Sequence, residues 1–320
     1  MIYVLFVIGF VLLIQGAKWL VGGSSLVARW FGISELVIGL TIVSMGTSMP
    51  ELTVNLLASF KGSADIAIGN VLGSNIANVL LILGATAAIA SLPVRRSTLI
   101  NEIPFSLAAA LLIGFLANVT IGANGLSKLE INRIEGVIVL FFFLLFIVYT
   151  YDLSKQDTSL EEAPVRDPSE KGWKAALSIA GGALALFLGG KWVVEGAVHL
   201  AQMIGMSQAF IGLTVIAIGT SLPELVTSVV AARRQSADIA IGNIVGSNIF
   251  NLLFILGVSA SVRALPFQDL SNIDLMVVIF ASTLLIVALI TTRKMHITRV
   301  HGFVFLTLYV AYLWYLVSRG

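Results

Sequence analysis

The chain has 320 residues, 58% of them hydrophobic and 11% charged, with a net charge of +2 and no cysteine. A soluble domain carries roughly 45–50% apolar and about 25% charged residues, so no water-soluble fold of this length could cover so much apolar material, and hydropathy places the chain in a membrane. Disulfides and thiolate-bound metals are excluded, and the small net charge says nothing about partners.

Apolar runs of about 20 residues, each able to cross a ~30 Å hydrocarbon core, are predicted near 2–21, 34–60, 64–90, 99–118 and 134–151. The first, MIYVLFVIGFVLLIQG, lacks the basic start and small-residue cleavage site of a secretory signal, and reads as a span that is retained. Residues 152–172 then hold six acids, three bases and two prolines, a short solvated linker. Five more spans are expected near 173–198, 207–232, 237–262, 272–292 and 300–318. The predicted fold class is an all-α membrane protein of ten transmembrane helices. It comprises a first five-helix repeat (1–151), the linker (152–172) and a second, inverted five-helix repeat (173–320).

The repeat is read directly. Residues 33–84 align with 206–257 without a gap at an offset of 173, with 29 of 52 positions identical. The same offset pairs Lys18-Trp19 with Lys191-Trp192 and Leu92-Pro93 with Leu265-Pro266. Five spans is an odd number, so the second copy must enter from the opposite face. With the amino terminus outside, twelve Lys and Arg fall on inner segments and five on outer ones, Lys18 and Lys191 lying within spans. That bias predicts both termini outside and the linker cytoplasmic. Inverted repeats around a midplane site are a transporter design.

The most similar stretches are GLTIVSMGTSMPEL (39–52) with GLTVIAIGTSLPEL (212–225), and DIAIGNVLGSNIAN (65–78) with DIAIGNIVGSNIFN (238–251). Gly46 with Pro50, and Gly219 with Pro223, interrupt apolar helices. Each proline removes a backbone donor and displaces the carbonyl four residues earlier, and lipid offers that carbonyl no partner. Glu51 and Glu224 lie near the bilayer centre, where a carboxylate marks an ion or proton pathway. Two such anions ~6 Å apart at an effective dielectric near 20 repel by roughly 3 kcal/mol, which a divalent cation, protons or two monovalent ions would offset. Around them Thr47, Ser48, Ser74 and Asn78, with their copies Thr220, Ser221, Ser247 and Asn251, supply hard oxygen ligands of the kind Ca²⁺ and Na⁺ require. The three histidines lie outside the motifs, against a zinc or copper site.

Plainer roles are assigned elsewhere. Gly69, Gly73, Gly242 and Gly246 suit close helix packing as well as a site, and Asn70, Asn75, Asn243 and Asn248 suit a structural role as well as a ligand one. Asp65 and Asp238 are expected to cap their helices rather than bind ions. Lys191 and Glu195 form an i,i+4 pair, and Lys18 snorkels.

The paired GTSxPE and GNxxGSNxxN stretches resemble the α-repeats of the cation/Ca²⁺ exchanger superfamily, closest to its prokaryotic Na⁺/Ca²⁺ exchanger branch. The resemblance covers nearly the whole chain. It implies that Glu51 and Glu224 are the central Ca²⁺ ligands and that Thr47 and Thr220 coordinate largely through their backbone. It implies flanking Na⁺ sites at Ser48, Ser74, Ser221 and Ser247, and carbonyl ligands at Ser44 and Ala217. It further implies that the first and sixth helices slide across the other eight. Some relatives carry Asp where this chain has Asn78 and Asn251, leaving two formal charges, enough for one Ca²⁺. Gly73 and Gly246 stand where the proton-coupled branch tends to place a Glu, which favours Na⁺ over H⁺. The expected function is therefore Na⁺/Ca²⁺ antiport in a prokaryotic cell membrane, with H⁺-coupled Ca²⁺ or Mn²⁺ antiport as the alternative. No cofactor beyond the transported Ca²⁺ and Na⁺, no nucleic acid and no obligate protein partner is expected, and the lipid bilayer is the medium. A channel is disfavoured because the site is complete within one chain. An enzyme is disfavoured because the motifs lack a base and GTSMP is not a nucleophile elbow.

Overall fold

A computed structural model describes residues 2–119, 129–156, 172–203, 205, 217–292 and 295–319. The helices are α1 (Ile2–Phe31), α2 (Glu35–Thr47), α3 (Met49–Lys61), α4 (Ala64–Ile89), α5 (Arg96–Asn118) and α6 (Arg133–Gln156). After the linker come α7 (Gly172–Met203), α8 (Ala217–Thr220), α9 (Leu222–Arg233), α10 (Ala237–Val262), α11 (Asp269–Thr291) and α12 (Arg299–Arg319). Among the described residues eight are long and apolar enough to cross a membrane, and α2 with α3, bent by 50° at their break, make a ninth if counted as one span. The span expected over 207–232 is represented by α8 and α9; its residues 206–216 lie outside the described residues, as do 157–171 of the linker.

The two spans that carry the GNxxGSN motifs are central. Burial reaches 94% of the spanning window in α10 and 72% in α4, against 28–44% in the other six unbroken spans. The outer helices accordingly present Val4, Val7, Leu111, Phe141, Met276 and Trp314 to the surroundings, a belt no soluble monomer exposes. Close approach depends on glycine. Gly9 and Gly16 of α1 meet the backbones of Gly189 and Gly182 of α7, and Gly23 meets Ala175, so the two helices run antiparallel. Gly39 of α2 lies against Gly242 of α10. The remaining long helices cross between the halves: α12 packs on the end of α4 through Gly302 and Gly84, and α6 on the end of α10 through Gly136 and Ala260.

Two short antiparallel ladders stand outside the all-helical expectation: β1 (Leu92–Pro93) pairs β4 (His296–Ile297), and β2 (Glu130–Ile131) pairs β3 (Leu265–Pro266). The repeated Leu-Pro dipeptides are thus the points where connections of one half pair with those of the other. Polar bonds repeat this exchange. Arg95 grips Asp238 at 2.6–2.7 Å, and Gln268, its counterpart at the offset of 173, donates to Asp65 at 2.8 Å. The expectation that Asp65 and Asp238 cap their own helices is corrected by these bonds. Ser63 and Ser236 occupy the N-cap positions, and a cross-connection partner outcompetes a local one. Lys191 and Glu195 do pair, at 3.8 Å and half exposed. Two intramembrane carboxylates unremarked in the sequence also find partners: Tyr149 donates to Glu102, joining α6 to α5, and Tyr312 to Asp274 at 3.1 Å, joining α12 to α11.

Candidate cation site

The site forms where two helices break. Ser48 (φ −84°, ψ 12°) and Ser221 (φ −88°, ψ 6°) leave helical geometry at equivalent positions. Pro50 and Pro223 follow in the first turn of α3 and α9, where a missing N–H is tolerated. The interruption centres on these serines, two residues beyond the glycines that suggested it. Glu51 and Glu224 therefore sit in the first turn of the second half-helix, at the positive end of its dipole.

The second pair of motifs carries a different irregularity. Helix α4 widens to a π-helical stretch over Ala77–Leu83, and α10 over Phe250–Ile255. Asn78 and Asn251 are each the second residue of that stretch. Such turns cluster at functional sites because the extra residue redirects side chains.

Hydroxyls join the two breaks. Ser48 Oγ donates to Glu224 Oε1 at 2.8 Å and lies 3.1 Å from Ser247 Oγ. In the other half Ser74 Oγ is 3.5 Å from both Glu51 Oε1 and Ser221 Oγ, contact distances at the limit of a hydrogen bond. Glu224 is thus met by a serine of the other half, and Glu51 by Ser74 of its own half, which in turn touches Ser221 of the other. Glu51, Glu224, Thr47, Ser48, Ser74, Ser221, Ser247, Asn78, Asn251 and Ser44 are all at most 2% exposed. Thr220 lies in α8 just before the break, and Ala217 begins that helix.

Some expected roles are occupied otherwise. The Ser44 carbonyl already accepts from Ser48 N at 3.0 Å and Thr47 Oγ1 at 3.2 Å, so as a ligand it would have to exchange those donors. The same Thr47 hydroxyl lies 3.0 Å from Asn243 Oδ1, so its one proton is shared between two acceptors. Asn243 in turn donates to Ser228 at 3.0 Å and lies 3.4 Å from the Glu224 carbonyl. Asn70 repeats this with Asn55 at 2.6 Å and the Glu51 carbonyl at 3.4 Å. These two asparagines are braces behind the site. Gly242 and Gly246 pack directly on α2.

Four buried oxygens in the site have no hydrogen-bond partner among the described residues: Glu51 Oε2, Glu224 Oε2, Asn78 Oδ1 and Asn251 Oδ1. They are two repeat-related pairs, and all four are acceptors. Among the described residues no Lys, Arg or His pairs with either glutamate. Buried acceptors with two formal charges and no donor form a site for a cation or for protons. The approach differs between the halves: Gly69 is exposed and Asn70 half-buried along α4, whereas the equivalent Gly242 and Asn243 of α10 are buried.

A family model described as sodium/calcium exchanger protein matches residues 1–151 and 174–318. The sodium/calcium exchanger MaX1 of Methanosarcina acetivorans is 32% identical, with 97% of each chain covered. The inner membrane protein YrbG of Escherichia coli is 37% identical over 80% of this chain and 78% of its own. Among solved structures, the sodium-calcium exchanger NCX_Mj superposes with a TM-score of 0.80 at 30% identity, covering 97% of this chain and 98% of that one.

Proposed function

Since the chain belongs to the sodium/calcium exchanger family, we propose that it exchanges Na⁺ for Ca²⁺ by alternating access through the site between Glu51 and Glu224. The observation that carries this reading is the set of four unpartnered acceptors, Glu51 Oε2, Glu224 Oε2, Asn78 Oδ1 and Asn251 Oδ1. One Ca²⁺ neutralises both carboxylates and takes its six to eight oxygens from this set, the nearby hydroxyls and freed carbonyls. When Ca²⁺ leaves, the two charges must be offset before the site can change sides. Protons could do so on the carboxylates alone. Sodium needs oxygen shells of its own, and Ser48, Ser74, Ser221 and Ser247 provide hydroxyls in both halves.

The test is ⁴⁵Ca²⁺ flux in proteoliposomes under imposed Na⁺ or H⁺ gradients. An outward Na⁺ gradient is expected to drive uptake. Ser74→Ala and Ser247→Ala should weaken the Na⁺ dependence more than Ca²⁺ binding. Loss of one neutral ligand costs about 0.5–1.5 kcal/mol, roughly two- to tenfold in affinity. Uptake driven by an outward proton gradient without Na⁺, and unaffected by adding it, would replace sodium by protons as the coupling ion.

The architecture belongs to the same proposal: ten spans in two inverted halves, both termini outside and residues 152–172 cytoplasmic. Lys61 and Arg234 align at the offset of 173 and end their half-helices at opposite faces in this arrangement. Single cysteines at these positions are expected to label from outside and inside respectively with a membrane-impermeant maleimide; labelling of both from one face would rule the inversion out. On this topology the exposed flank of α4 opens outward. The glycine-lined pairing of α1 with α7 suits a unit that moves as one body against the rest.

A further inference from the structure

Behind the site, at the junction of α4, α5, α10 and α11, a small cavity of about 10 Å³ is bounded by Ser106, Asn248 and Ser282, with Val79, Ile244 and Leu285 among its apolar walls. Its three polar residues come from three different helices, and each is at most 4% exposed. Asn248 Oδ1 accepts from Asn78 Nδ2 at 2.9 Å. Its own amide nitrogen, and the hydroxyls of Ser106 and Ser282, meet no partner among the described residues.

The repeat provides an internal comparison. Asn75, the counterpart of Asn248, turns its amide nitrogen onto the carbonyl of Val71, four residues back, at 2.7 Å. Its Oδ1 is then left without a partner among the described residues, as is Oδ1 of Asn251, the counterpart of Asn78. Asn248 could make the same bond to Ile244, a residue of the cavity wall, and does not. Something other than its own helix is left to meet that nitrogen, which is not among the fully enclosed unpartnered atoms of the described residues.

We infer that this cavity is the site of one ordered water, held by Asn248, Ser106 and Ser282, that fixes Asn248 and through it the ion ligand Asn78. The volume is about what a single water occupies, and three polar partners are the usual number for a buried one. A cation does not suit it: among the described residues no carboxylate borders the cavity, and its polar lining is two hydroxyls and one amide. The water accepts from Asn248 Nδ2 and bonds the two hydroxyls. Asn248 is thereby kept off its own helix, its Oδ1 anchors the Asn78 amide, and Asn78 Oδ1 stays open for the ion. Ser106 and Ser282 are positioning residues that never touch the transported ion.

The inference rests on the antiport reading for its effect on transport, but not for the water itself. In proteoliposomes the double variant Ser106→Ala, Ser282→Ala is expected to raise the apparent KM for Ca²⁺ about two- to tenfold with maximal turnover retained, and each single variant less. A structural defect would instead lower turnover or yield. An unchanged KM, or a fall in turnover at constant KM, overturns the role given to the serines. Independently of any activity, a structure of the wild-type protein at a resolution that shows ordered waters should hold one density peak within hydrogen-bonding reach of Asn248 Nδ2, Ser106 Oγ and Ser282 Oγ. An empty or apolar cavity there overturns the inference even if the double variant fails to fold. Failure of the wild type to carry Ca²⁺ would remove the antiport reading and leave the density test standing.

Discussion

Glu51→Gln or Glu224→Gln is expected to abolish Ca²⁺ transport while leaving the protein folded and inserted. Glutamine keeps the volume and one acceptor oxygen of the side chain, so packing around these buried positions is conserved. What disappears is one of two charges facing a divalent ion in a site with no cationic partner among the described residues. A divalent ion ~4 Å from a single carboxylate at an effective dielectric near 20 interacts with it by about 8 kcal/mol before desolvation is counted. Removing one partner of a buried ionic contact has a net effect of about 3–5 kcal/mol, two to three and a half orders of magnitude in affinity. The ion-free protein responds differently, because either substitution relieves the repulsion between the two carboxylates. Thermal unfolding in the presence of a chelator should therefore occur at an unchanged or higher temperature in each variant, while stabilisation by added Ca²⁺, which follows from ion binding to the folded state, should vanish. Flux near the wild-type level in either variant would remove the two glutamates from the centre of the mechanism.

These two residues were the most legible part of the molecule, for a physical reason. A carboxylate in the middle of an apolar span has no local explanation, and its recurrence at an offset of 173 removes the accidental one. The hydroxyls beside the prolines were readable on the same ground. The structure adds what depends on partners far away in sequence. Asp65 and Asp238 look like caps because each begins a helix, yet their partners are 203 and 143 residues distant, and no local pattern encodes such a bond. The π-helical stretches at Ala77–Leu83 and Phe250–Ile255 are equally silent, since a widened turn in a continuous apolar run keeps the same composition as a regular one. Glu102 and Asp274 could have been noticed, being acids within apolar segments. The tyrosines that give them a structural role lie on neighbouring helices, 47 and 38 residues away in the chain. Asn70 and Asn243 stood equally for ligand and brace. The bond from Thr47 to Asn243 identifies the latter as a brace, and it exists only because α2 and α10 lie in contact.

That contact is also where the smallest substitution should have a large effect. An alanine Cβ at Gly246 would stand 2.7 Å from the Leu40 carbonyl oxygen, 2.8 Å from Leu40 Cα and 2.8 Å from Ser44 Oγ. Two of these atoms are backbone, so no rotamer change relieves the clash, and α10 must move away from α2 by some tenths of an ångström. Overpacking of this kind is destabilising by about 1–3 kcal/mol, and the rigid backbone on the other side places Gly246→Ala at the upper end. Function should fall further than stability. Ser247, the next residue, receives Ser48 at 3.1 Å, and Ser44 belongs to the turn that leads into the break, so the displacement opens the site itself. Gly181→Ala is the matched control: a Cβ there meets nothing within 4 Å among the described residues, and alanine favours the helix by about 1 kcal/mol. The expected result is a lowered unfolding temperature and at least tenfold slower Ca²⁺ flux for Gly246→Ala, with Gly181→Ala at or above the wild type in both. A Gly246→Ala protein that keeps its unfolding temperature and its flux would show that α2 and α10 can separate freely, and that the close backbone approach is not what holds the two broken halves of the site together.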